Sequence, residues 1–466
     1  MVTDMKEAPI SLKSRVYRTI WRWHFYAGLF VIPFVLLLAV TGAAYLFKPQ
    51  VERWEERVFQ DLPVAGAVAP QRQVDVALAA FPGASFNSYR LPERTGDAAM
   101  IHLAMPDGRS MRDVFVSPQG EVLGSIVPDT RLMAWVRSIH GQLLLGKRGS
   151  WLVELAASWA IVLVLSGLYL WWPRGRGFAG VVWPRLKGGR RMFWRDLHAV
   201  TGFWISGLVL VLLATGLPWA GLWGSAFNAA RTEMGWVAGP QTWTLGGEAP
   251  SSGGGDIHAA HDHAAMMQAM PTPAQSASSA GLNDIVAKAI PEKLAFPVIV
   301  TPPGAPGQFG APGVTAWTVR SDAQNRPLQM SITYDMATGR ETSREDFADG
   351  HVVDRVVGYG IAWHEGQLFG WVNQLVGVLT AIGLIVMAVS GFILWRRRKP
   401  DDALGAPPHV KVPARMPGVV VILLMLAALL PLLTASLVAL WLFERLALPH
   451  LPRFARWLGV DGQLVA

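Results

Sequence analysis

The chain has 466 residues, 52% of them hydrophobic and only 16% charged, where a soluble domain is about a quarter charged. It has no cysteine, which excludes disulfides, iron–sulfur clusters, thiol redox chemistry and covalently attached c-type haem. The formal charge of +8 does not point to nucleic acid, because the basic residues cluster beside apolar runs, where they serve lipid headgroups and topology.

In chain order, residues 1–23 form a basic N-terminus with Lys6, Lys13, Arg15, Arg18 and Arg22. Five runs then reach the ~20 apolar residues that a bilayer-crossing helix needs: 24–47, 151–172, 198–222, 370–395 and 417–443. The first is too long for a signal peptide and reads as a retained span. Between the first and second lies a domain, 48–150, with a helix expected at 73–81 and strands at 101–104, 114–117 and 121–123. The loop 173–197 is basic, with Arg174, Arg176, Arg185, Lys187, Arg190, Arg191 and Arg195. A second domain, 223–369, has an expected helix at 283–290 and strands at 315–320 and 328–334. Residues 239–279 within it, rich in Gly, Ser, Ala, Pro, His and Met, read as a flexible insertion. The loop 396–416 is again basic. The positive-inside rule places the three basic segments in the cytoplasm and both domains, with the tail 444–466, in the periplasm of a bacterial inner membrane.

The chain repeats itself. Run one reads His24-x3-Gly28-x12-Thr41-Gly42 and run three His198-x3-Gly202-x12-Thr215-Gly216. Ahead of run two stands His140-x5-Gly146, and the run ends Ser166-Gly167-Leu168-Tyr169-Leu170-Trp171. Ahead of run four stands His364-x5-Gly370, and it ends Ser390-Gly391-Phe392-Ile393-Leu394-Trp395. From His to Trp is 31 residues in both. The predicted fold is therefore an α-helical integral membrane protein with five transmembrane helices, a duplicated helix–α+β domain–helix unit, and one further C-terminal helix.

Ionisable side chains within membrane segments are costly and usually functional. One histidine at a helix end is more often an interfacial anchor. Four at equivalent positions of two repeats make a different pattern. A pseudo-twofold axis along the membrane normal would bring His24 to His198 and His140 to His364, at two depths. Two facing imidazoles are what a six-coordinate haem iron requires, so two b-type haems per chain are expected. Gly28 and Gly202, one turn from their histidines, would let a macrocycle approach, with Gly146 and Gly370 acting similarly. Arg22 and Arg195 near the inner pair, and Arg137, Lys147 and Arg148 near the outer, are candidate propionate partners. The Thr-Gly pairs read as helix packing.

The helix–domain–helix duplication resembles the PepSY-associated transmembrane family. Phe115-Val116-Ser117-Pro118-Gln119-Gly120-Glu121-Val122-Leu123-Gly124 resembles the hairpin of a PepSY domain, and Tyr334-Asp335-Met336-Ala337-Thr338-Gly339-Arg340 its second copy. The family includes inner-membrane haem proteins that reduce ferric siderophores in the periplasm. The resemblance implies a haem-dependent oxidoreductase in which electrons enter at His24 and His198 and leave at His140 and His364. Trp135, Arg131 and Arg137 are candidate contacts for the acceptor. Some relatives carry a fused flavoprotein domain. None is expected here, so the donor is taken to be separate, a quinol or a cytoplasmic reductase.

Three other readings stay open, one of which keeps the haems and passes the electrons to quinone or another oxidant. PepSY domains are associated with peptidase inhibition, which gives the reading of a membrane-anchored binding or regulatory protein without redox activity. His258, His261 and His263, followed by Met266, Met267 and Met270, would suit copper, and would make it a periplasmic copper handler. His102, His351, His409 and His450 receive no role. The phosphate-binding glycine motifs and H-E-x-x-H are absent, since His364-Glu365 is followed by Gly366-Gln367-Leu368.

Overall fold

Apolar runs of this length leave backbone groups no water to bond, so they are helical. The computed structural model describes residues 12–107, 110–173, 178–185, 189–236, 280–305, 315–408 and 416–460. Its helices in chain order are α1 (Leu12–Tyr45), α2 (Lys48–Glu55), α3 (Pro70–Ala80), α4 (Leu132–Gln142), α5 (Gly146–Trp171), α6 (Gly189–Gly216), α7 (Gly221–Glu233), α8 (Leu282–Glu292), α9 (Val352–His364), α10 (Trp371–Arg396), α11 (Pro417–Leu429), α12 (Pro431–Leu442) and α13 (Pro452–Leu458). The strands are β1 (Ser85–Arg90), β2 (Ala99–Ala104), β3 (Met111–Val116), β4 (Val122–Ile126), β5 (Val298–Thr301), β6 (Trp317–Ser321), β7 (Met330–Tyr334) and β8 (Glu341–Asp346). Five segments are long and apolar enough to cross a membrane: Ser14–Tyr45, Gly146–Trp171, Gly189–Trp219, Trp371–Arg396 and Pro431–His450. The chain divides into two compact units. One holds Met1–Gly42, Arg148–Leu217 and Val378–Ala466, and the other Ala43–Lys147 and Pro218–Gly377.

Among the described residues the first unit is built of helices and their connecting loops, with one isolated bridge between Ala179 and Trp183. Trp171 and Trp395, which close the two matching motifs, each donate an indole N–H to the chain that follows, to the carbonyls of Val181 and Leu404. The fifth apolar run departs from expectation. It is not one helix over 417–443, because Pro431 lacks the N–H and the chain bends at Leu430, splitting it into α11 and α12. Nor does the tail lie at the opposite end from the loop after α10. The Arg22 guanidinium donates to the carbonyl of Pro407 in that loop and to that of Gly459 in the tail, both at 2.8 Å. Tyr26 donates to Leu458, and Leu404 N–H to Trp457. Leu448, at the end of the apolar run, packs on Ala455 and Val460. Beyond the bend, Ser436 accepts from the indole of Trp159, halfway along α5. The chain from α11 to Leu448 therefore departs from and returns to one end of this helical unit.

The second unit is an antiparallel sheet of eight strands in the order β4-β3-β2-β1-β5-β6-β7-β8, symmetric about the β1–β5 pair. Alternation along the strands gives it two different faces. One carries Ile101, Leu103, Val114, Val116, Val300, Val319 and Ile332, covered by Val74 and Ala77 of α3 and by Leu282, Ile285, Val286 and Ala289 of α8. Each such aliphatic burial contributes about 1.5–3 kcal/mol. The other face carries Phe115, stacked on Phe59 at 4.1 Å, and a chain of charges. His102 Nδ1 lies 2.7 Å from Asp113, its cross-strand partner, and Arg131 meets Asp113 at 3.4 Å and Glu56 at 2.9 Å. Arg90 clasps Glu56 with two bonds.

This charge chain has a measurable consequence. Burial works to raise the Asp113 carboxyl, but the hydrogen bond and charge of His102, with Arg131 and Arg90, outweigh it and hold the group below the ordinary value of 3.8. Its contribution is then fully present above that value and lost only as pH falls through the depressed one. Asp113→Asn is expected to cost about 2–4 kcal/mol at neutral pH. Thermal unfolding of the purified protein from pH 7 downward measures both. A variant melting with wild type at neutral pH would count against the network.

Candidate functional site

His24 stands in α1 and His198 in α6, both within membrane-length segments. The back of each ring is held by a neighbouring helix. His24 Nδ1 is 2.8 Å from the hydroxyl of Ser166 in α5. His198 Nδ1 is 3.2 Å from the hydroxyl of Ser390 in α10 and 3.0 Å from the carbonyl of Met387. Both serines have already committed their one proton, Ser166 to the carbonyl of Leu163 and Ser390 to that of Met387, each at 3.1 Å. A hydroxyl whose proton is donated elsewhere can only accept. Each Nδ1 is therefore the protonated nitrogen, by assignment from the hydrogen-bond network, and each Nε2 presents a lone pair. That tautomer, fixed by a bond on the far nitrogen, is the one a metal-binding imidazole adopts. The two histidines also lie within electrostatic reach of one another.

Close approach of these helices depends on glycine. A side chain on Gly167 would begin 3.2 Å from the His24 ring, and one on Gly391 3.3 Å from His198. The glycines expected to clear a macrocycle do something else. The missing side chain of Gly28 faces Leu163 at 3.8 Å and that of Gly202 faces Met387 at 3.1 Å, so both serve helix packing. Gly146 and Gly370 have φ of +55° and +58°, a left-handed turn that admits the chain to α5 and α10. Thr41 and Thr215 donate to carbonyls one turn back in their own helices.

The outer pair sits in the other unit. His140 lies near the end of α4 and His364 ends α9, so both stand on short helices preceding the membrane-length ones rather than at the ends of those. Their ring centroids are 6.4 Å apart at 76°, and the ring of Trp219 lies 5.6 Å from His364. With metal–imidazole bonds of about 2 Å, two rings ligating one ion from opposite sides have centroids roughly 6 Å apart. Next to His364 the carboxyl of Glu365 is buried, which raises its pKa against the pull of Arg326 and Lys48.

These four histidines all fall within one matched stretch. A family described as the PepSY-associated TM region matches residues 21–398. The chain belongs to this family. No curated protein matches it.

The remaining candidates in this family member are redistributed by the structure. Arg22 is spent on two carbonyls of the loop and tail, and Arg195, with Arg185, on the buried carboxylate of Asp196. Both guanidiniums thus have structural partners of their own. Arg131 is buried in the charge chain on the sheet, so it does not offer itself to an external acceptor, whereas Trp135 and Arg137 are exposed. Lys147 and Arg148 are exposed as well. His351, given no role, caps α9 by accepting from the N–H of Val353. His102, also given none, holds Asp113. His450 is exposed. His258, His261, His263, the methionines after them and His409 lie outside the described residues. Among the described residues no group of three or more His, Asp or Glu converges as a metal site. A haem iron takes four ligands from its macrocycle and asks the protein for two.

Sequence reasoning missed Ser166, Ser390, Gly167, Gly391 and Trp219. The first four were visible as the Ser-Gly pair common to both motifs, but their contact with the histidines depends on how the helices face each other.

Proposed function

We propose that the chain is a transmembrane electron-transfer protein of the bacterial inner membrane, with a b-type haem at each histidine pair, that reduces an oxidised periplasmic acceptor, a ferric siderophore. The observation that carries this reading is the pair of inner imidazoles, each fixed by a serine in the tautomer that turns Nε2 outward as a ligand. The reading treats the chain as two copies of a helix–domain–helix unit, in which α1 corresponds to α6 and α5 to α10. His24 and His198 would hold one haem and His140 and His364 the other. When bound, the haems supply one-electron chemistry in a membrane that otherwise blocks electrons.

The protein's own residues bind, orient and exclude. Ser166 behind His24, and Ser390 with the Met387 carbonyl behind His198, keep each inner ring from rotating or taking the proton on Nε2. Gly167 and Gly391 leave room for that orientation. Apolar flanks keep water from the inner pair, and the indole of Trp219 lies against His364. A single electron delivered to hydroxamate- or catecholate-bound Fe(III) gives Fe(II), for which hard oxygen donors have less hold. The electron comes from a separate donor, a quinol or a cytoplasmic reductase.

The test is a visible spectrum of detergent-purified protein, oxidised and dithionite-reduced, with a haem count per chain. Sharp b-type bands at about two haems per chain are expected, with reoxidation of the reduced protein on adding a ferric siderophore. A colourless protein from haem-replete cells overturns the proposal. Bands that no ferric chelate reoxidises would retain the haems and remove the acceptor.

A further inference from the structure

The arginines expected to face the inner pair are engaged elsewhere, and two others are not. Arg398 lies just past the end of α10, with its guanidinium over Trp21 at 5.1 Å and over Phe25 at 5.3 Å. These two rings bracket His24 on α1. Arg191 is on α6, seven residues before His198, which is two turns or ~10 Å along the same helical face. Arg398 is seven residues past Gly391, the glycine against which the His198 ring rests. Among the described residues neither guanidinium has an acidic partner. The two also repel each other: partial burial and the like charge of Arg191 push Arg398 below the usual arginine pKa. Two arginines brought together without an acid, one lying on aromatic faces, form a receptor for an anionic oxygen group.

We propose that Arg191 and Arg398 form an anion clamp at the outward edge of the His24–His198 pair and that its ligand is the propionate carboxylates of the haem held there. This rests on the haem reading above. The geometry supports it in three ways. Both arginines lie in the same direction from their histidines, toward the helix ends and out of the apolar interior. Arg191 comes from α6 and Arg398 from just past α10, and the Arg398 guanidinium rests on Trp21 and Phe25 of α1, so the anion site would lie between these helix ends. Of the neighbouring basic residues, Arg22, Arg185 and Arg195 are already neutralised or bonded. The phosphate of an anionic lipid has the same chemistry and is the competing source.

The experiment uses full-length protein purified from haem-starved cells and titrated with protohaem and with protohaem dimethyl ester, whose carboxylates are masked. Wild type is compared with the Arg191→Gln/Arg398→Gln double variant, and phospholipid retained by each is measured by mass spectrometry. Because the outer pair also takes up haem, both proteins carry His364→Leu. Wild type is expected to favour protohaem over its ester by about tenfold or more, and the double variant to bind the two alike. Arg398→Lys, which keeps charge without the planar fork, should recover part of the preference. Equal preference in wild type and double variant overturns the clamp. Unchanged haem discrimination with loss of retained anionic lipid assigns the arginines to a headgroup and also overturns it. No haem uptake by any protein, with unaltered folding, sinks the haem reading itself and the clamp with it.

Discussion

If each histidine pair holds a haem as proposed, leucine in place of His198 is expected to lower the haem content from about two per chain to about one. The loss should exceed a hundredfold in affinity at that site, since removing even a ligand's hydrogen-bond partner typically costs 10–100-fold. His24 alone would not hold the group, because an apolar side chain would stand where the second imidazole does. The variant is not expected to unfold. His198 bonds to α10 through one serine and one carbonyl and rests against Gly391, and leucine is at home in a membrane helix. His364→Leu should remove the other haem and leave the inner one. The double variant His24→Leu/His198→Leu should lose no more haem than either single, because the two ligands act as one site. A pyridine haemochrome count per chain measures all four proteins. A full complement in His198→Leu would falsify the pairing, and loss of both haems in every single variant would show that the sites are not independent.

Much of this arrangement was legible before any coordinates, and the reasons differ from element to element. The first four membrane-length helices follow from apolar length alone, since a run of ~20 such residues has few other ways to satisfy its backbone. The approach of His140 to His364 follows from matched spacing. Strands β2, β3, β6 and β7 follow from alternation and from the turns at Gly120 and Gly339. By contrast, β8 reads Glu-Thr-Ser-Arg-Glu-Asp, which carries no apolar alternation because it is an edge strand with its side chains mostly in solvent. β1 is similarly polar in sequence and is recruited by its neighbours β2 and β5. The fifth apolar run was misjudged because apolar content was weighed and Pro431 was not. The proline carries the break, and the fold-back is secured by distant carbonyls that Arg22 happens to reach. Arginine partners in general were not legible. Long side chains choose among several acids and carbonyls according to tertiary position, so Arg22, Arg131 and Arg195 went to structural partners while Arg191 and Arg398 were left over.

The serines behind the inner histidines are where a small change should speak most directly about chemistry. Ser166→Ala removes the hydroxyl that accepts from His24 Nδ1 at 2.8 Å and leaves that nitrogen only the poorly aligned carbonyl of Leu163. The ring can then rotate or exchange its proton to Nε2, the nitrogen that must be bare to bind iron. Affinity of the inner site is expected to fall about 10–100-fold. Its midpoint potential should rise, because a hydrogen-bonded Nδ1–H makes the imidazole the stronger donor to Fe(III). Ser390→Ala should do less. His198 Nδ1 retains the carbonyl of Met387 at 3.0 Å, closer than the hydroxyl it loses, so its tautomer survives. The buried Ser390 hydroxyl also takes its own acceptor contact away with it, leaving the Met387 carbonyl free to serve the imidazole alone. Ser166→Thr, which restores a hydroxyl, should recover most of the wild-type potential. Redox titration monitored in the visible band, together with thermal unfolding, separates the two roles. A positioning role moves the inner potential with little change in melting, whereas a purely structural role lowers melting and leaves the potential where it was. Equal shifts from Ser166→Ala and Ser390→Ala would contradict the backing role assigned to Met387.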